Sequence, residues 1–98
     1  MRIIEKLIEN IDEEIEGAWE YAERSVECKA RGNMQRASRY KEMAHEELGH
    51  AAQIYEFAEA DVEAIRKVHP LSVEDEEKWA HAVKKMHECI AKIKTYVA

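Results

Sequence analysis

Three residues have the types and the spacing to do chemistry together: Glu14, Glu47 and His50. His50 follows Glu47 by three positions within "MAHEELGHAAQIYEF", residues 43–57. On a helix that step turns the second side chain about 60° from the first and moves it one turn along, so carboxylate and imidazole can converge on one point. Glu-x-x-His is the pattern that supplies an inward carboxylate and imidazole in carboxylate-bridged di-metal helix bundles. Glu14 and Glu47 both fall on the apolar stripes of their helices, where burying an unpaired carboxylate costs several kcal/mol. Each must therefore be paired, protonated or bound to a metal.

The elements that would position these groups follow from the pattern. Residues 2–30 carry Ile4, Leu7, Ile11, Glu14, Ala18, Tyr21, Ser25 and Cys28 at alternating spacings of three and four, flanked by Ile8, Ile15 and Ala22. This predicts a bundle-forming helix. It should close at Gly32, with Asn33 capping the next helix. Over residues 33–68 the pattern repeats through Ala37, Tyr40, Ala44, Glu47, Ala51, Ile54, Ala58, Asp61 and Ile65, with Leu48, Tyr55 and Val62 alongside. A helix of that length spans about 50 Å, which suits a bundle built from more than one chain. The short turn makes the pair an antiparallel hairpin, and the midpoint between Glu14 and Glu47 falls at Ala30 and Arg31, beside that turn. The two glutamates should face each other at one level. Glu13, Glu16 and Glu20 pass the level test within a turn but lie off the stripe.

Pro70 disfavours helical geometry at His69, and Ser72 with Asp75 and Glu76 has the form of a capped helix start with acids in its first turn. A third helix over residues 73–97 carries Trp79, Val83, Met86, Ile90, Ile93 and Val97 as its stripe. It is expected to cover the bundle end or to build larger rings. The whole chain, residues 1–98, reads as a single all-α domain.

Other polar residues have plainer readings. A zincin motif, H-E-x-x-H, fails because Gly49 stands where the second histidine is needed. His45 and Glu46 are expected to face solvent, although a glutamate such as Glu46, or Tyr21, could orient a ligand by a hydrogen bond. His81 and His87 lack a Glu three positions before them, since Lys78 and Lys84 stand there. His69 belongs to the turn. Trp19, Tyr21, Tyr40 and Tyr55 are read as core aromatics, and Cys28 and Cys89 as partly buried free thiols.

Composition narrows the function classes. Of 98 residues 46% are apolar and 37% charged, while 3 Gly and 1 Pro leave helices few interruptions. The net charge of −6, from 21 acids against 15 bases, comes without a basic run, which argues against nucleic acid as a partner. No apolar stretch approaches the roughly 20 residues of a membrane span, and "MRIIEKLIEN" places acids where a signal peptide needs apolar residues. A cytoplasmic protein is expected. A chain this short buries a modest core, so self-association is expected as well.

Glu14, the aromatic "AWEYA", Gly32 at the turn, and "EELGHA" with Glu47, His50 and Ala51 give the hairpin a form that resembles the ferritin-like superfamily, in its rubrerythrin and encapsulated-ferritin branch. "EKWAHAVKKMHECIAKIKTYV" is similar to the short carboxy-terminal helix of encapsulated ferritins. A complete ferritin-like chain has four core helices and two half-sites, whereas this one has a single Glu and a single Glu-x-x-His, and it lacks rubredoxin-type cysteine pairs. The resemblance therefore implies a homodimer or larger even-numbered oligomer, in which two hairpins form a four-helix bundle around two iron ions. Glu47 would bridge the metals, with Glu14 and His50 as terminal ligands. Ferroxidase activity with O2 or peroxide is implied, as is a place within a protein nanocompartment. The sequence ends "KTYVA", without the Gly-Ser-Leu-type tail that targets such proteins to an encapsulin shell. The donor set also accepts Mn(II) or Zn(II). Two other readings stay open: a helical interaction module without metal, and a bundle that binds metal without oxidising it.

Overall fold

A computed structural model describes residues 1–98 as three α-helices without strands: α1 Arg2–Ala30, α2 Met34–Val68 and α3 Val73–Tyr96. The boundaries sit where the local chemistry places them. Gly32 adopts φ +80°, the left-handed geometry that reverses the chain after α1. The Asn33 side chain accepts a hydrogen bond from the Arg36 amide at 3.1 Å, and Ser72 does the same for Asp75 at 3.0 Å. Pro70 lies in the break between α2 and α3, preceded by His69 in extended geometry at the end of α2. No helix is long and apolar enough to cross a membrane.

The molecule is a rod of 55 × 18 × 18 Å, so the length of α2 is matched by its neighbours. α1 and α2 pack antiparallel, and α3 returns alongside, parallel to α1. That orientation is fixed at both ends. The Met1 amine holds Asp75 at 2.6 Å and Lys78 reaches Glu5 at 3.2 Å, while at the far end Trp19 meets Tyr96 edge-on at 5.6 Å. Asp75 is buried, so its pairing offsets a real desolvation cost, and the amine, first among its partners, holds its carboxyl below the usual range.

Of the two placements expected for α3, covering the bundle end or building larger rings, the first is not what the chain adopts. The helix lies along the hairpin and puts Trp79, Met86, Ile93 and Val97 into one core with Ile4, Ile11, Ile15, Ala18 and Ala22 of α1 and Ala44, Leu48, Ala51, Ala58 and Val62 of α2. Val83 and Ile90 pack partly buried against that core. The buried line on α1 therefore shifts toward the flanking Ile15 and Ala22, and on α2 toward Leu48 and Val62. The other edge of each predicted stripe is left partly open: Leu7, Glu14, Tyr21 and Cys28 on α1, Tyr40, Glu47 and Ile54 on α2. Asp61, further along that edge, is exposed.

Candidate metal centre

The hairpin brings Glu14, Glu47 and His50 together. One ligand atom from each can be chosen so that all lie within 4.8 Å of one another, and no other such group of three His, Cys, Asp or Glu side chains exists in the chain. The His50 Nδ1 atom is 3.7 Å from Glu14 Oε2 and 3.7 Å from Glu47 Oε1. Those gaps are too long for hydrogen bonds. They suit a shared ion, because two donors about 2.1 Å from one cation lie no more than about 4.2 Å apart.

The carboxylates are three-quarters screened from solvent, Glu14 at 28% and Glu47 at 25% side-chain exposure, while the imidazole is open at 59%. The sequence placed His50 facing inward with Glu47. In the fold it stands at the rim, because the open edge of the hairpin has no helix over it. Electrostatics mark the same spot. A hydrogen bond with Glu14, then burial, then the charge of Glu14 push the Glu47 carboxyl above its usual range, and only His50 pulls the other way. Two carboxylates this close repel when both are ionised, and a shared proton or a bound cation relieves the repulsion. The oxygen-rich donor set with one imidazole fits Fe(II), Mn(II) or Zn(II).

The remaining candidates separate from this centre. Glu13, Glu16 and Glu20 are exposed, so helical phase rather than level selects Glu14. Glu46 is drawn to Arg39, whose guanidinium meets it at 3.2 Å and Glu42 at 3.2 Å. His45 is exposed. Tyr21 stacks on Tyr40 with ring centroids 6.2 Å apart, and the Arg24 guanidinium lies over both rings. His87 meets the edge of Tyr55, which itself stacks on Trp79, and His69 Nδ1 lies 2.9 Å from the Pro70 carbonyl. Cys28 and Cys89 are free and half-buried. A cavity of about 360 Å³ lies near the Gly32 turn, between Val26, Met34 and Tyr96. Its walls carry Lys29 and Lys41 and no acidic side chain, which does not suit a cation.

One contributor was not read from the sequence. A Cβ added at Gly17 would meet the Glu47 side chain before anything else, with Oε2 at 3.1 Å. The only available signal was its register, three positions after Glu14 on the same edge of α1.

Comparison with family models, with curated proteins and with solved structures returns no match. The ferritin-like resemblance therefore rests on the residues of this chain alone.

Proposed function

We propose that the protein is half of a carboxylate-bridged di-iron oxidase, completed when two copies pair through the open edge of the hairpin. The observation that carries this reading is the convergence of Glu14, Glu47 and His50 on that edge, with donor separations suited to a shared cation. Two copies would contribute four carboxylates and two imidazoles, and the four negative charges balance two Fe(II) ions. The apolar surroundings also support pairing. Near the open end of the hairpin, Ile3 lies eleven positions before Glu14 on the same edge of α1 and Phe57 lies seven positions after His50 on the same edge of α2, and they are exposed at 47% and 62%.

In that reading Glu14, Glu47 and His50 of each copy would hold the two ions, Glu47 in the bridging role that the ferritin-like resemblance implies and Glu14 and His50 as terminal ligands. Iron is the substrate: two Fe(II) ions give up two electrons, which reduce O2 to H2O2, or H2O2 to two waters, with uptake of two protons. Cation binding would relieve the crowding with Glu14 that, together with burial, holds the Glu47 carboxyl above its usual range.

Anaerobic Fe(II) loading followed by O2 should give an Fe(III)-oxo absorbance at two irons per dimer. No uptake at that ratio rejects the ferroxidase, and stoichiometric uptake without oxygen consumption leaves a metal-binding bundle. A second reading has its own support, because α3 gives the hairpin a shared core within one chain. That suits a metal-free helical interaction module. Under it, metal analysis finds nothing stoichiometric, and Glu14→Leu stabilises the fold.

A further inference from the structure

We propose that Gly17 is a positioning residue of the metal centre: its missing side chain leaves on α1 the berth in which the Glu47 carboxylate lies. This rests on the metal reading above and adds a residue to it. A glycine inside a helix costs stability relative to alanine, and Gly17 has no backbone reason to be there. Of the three glycines only Gly32 has a positive φ; Gly17 sits in ordinary helical geometry in the middle of α1. What a side chain would displace is specific. The three nearest atoms to an added Cβ are all from Glu47: Oε2 at 3.1 Å, Cδ at 3.6 Å and Cγ at 3.8 Å. The first is tighter than ordinary contact, so an alanine methyl requires the carboxylate to give way by a few tenths of an ångström. Because Glu14 lies one turn before Gly17 on the same face, that displacement moves Glu47 relative to its partner carboxylate.

Gly49 supplies the comparison. It too lies inside a helix, between Glu47 and His50, yet an added Cβ there meets nothing within 4 Å. The same Gly-to-Ala change can thus be made on both helices, with a carboxylate in the way on one and open space on the other.

The test is a pair of measurements on the full chain. Co(II), titrated without oxygen and followed by its visible bands, reads the geometry and affinity of the centre. Gly17→Ala should weaken Co(II) binding by about tenfold or more and shift the bands, an effect of the size seen when a residue supporting a metal ligand is changed. Gly49→Ala should leave both unchanged. Thermal unfolding of the metal-free protein then reads the steric term alone. In a Glu47→Ala background, Gly17→Ala should raise Tm by about 4 °C, the ordinary gain from removing a helical glycine in a chain of this size. With Glu47 present the gain should be clearly smaller. Equal gains in the two backgrounds, or unchanged Co(II) affinity in Gly17→Ala, overturn the role of Gly17 and leave the metal reading standing. A parent protein that takes up no Co(II) overturns the metal reading itself, and the role of Gly17 with it.

Discussion

At the scale of single residues, the centre stands or falls on which glutamates turn inward. Glu47→Ala should abolish metal binding, because it removes the proposed bridging carboxylate, whereas Glu13→Ala, on the exposed side of α1, should leave it intact. Equal losses in a metal titration would reject the argument from helical phase. The crowding of Glu14 and Glu47 also has a pH signature. A carboxyl whose pKa is higher in the folded than in the unfolded chain binds its proton more tightly when folded. Its stabilising contribution is thus complete below its ordinary value of 4.5 and is lost as pH rises through the higher folded value. Metal-free protein should therefore lose part of its Tm as pH rises above 4.5, and Glu47→Gln should flatten that decline. Comparing the two proteins cancels other acids, including Asp75, whose lowered pKa acts in the opposite direction and at more acid pH. Both glutamates of the candidate centre were legible in the sequence because stripe phase and hairpin level select them independently. The exposure of His50 was not, since a heptad pattern says which edge a residue is on and not whether another helix covers that edge.

At the scale of elements, punctuation did most of the work. Gly32, Asn33, Pro70 and Ser72 mark the helix ends, and each does so through a backbone requirement that depends on few distant contacts. Gly32→Ala should destabilise the protein by about 1 kcal/mol, because a Cβ strains the left-handed residue. Ser72→Ala should cost about as much by leaving the Asp75 amide uncapped. Both are measurable by denaturant unfolding. The side on which α3 docks was harder to read. Its stripe would serve equally to close a bundle end or to meet another chain, and the choice is made by complementary surfaces far apart in sequence. Ile15 and Ala22 beside the main stripe of α1, with Leu48 and Val62 on α2, were the residues available to receive it. Trp79→Ala should expose that docking by a loss of about 3–5 kcal/mol, the usual result of truncating a buried tryptophan.

For the whole molecule, the central prediction is self-association. Sedimentation should find a dimer or larger species, since a stable monomer cannot assemble a two-ion site. Phe57→Glu should weaken that association by about tenfold or more without loss of helicity. The substitution removes an exposed apolar side chain worth about 1.5–3 kcal/mol when buried, and it sets a charge in the interface. Unchanged association would place the contact on another surface. The position of α3 has one more consequence, for how far association can go. A bare hairpin has two long sides able to accept neighbours, and units with two reactive sides can polymerise. By occupying one side within the chain itself, α3 gives the hairpin a valence of one along its length. A unit of valence one that meets its own kind through a two-fold axis is consumed by the first encounter, so growth through that edge would end at the pair, and any larger species would have to use another surface.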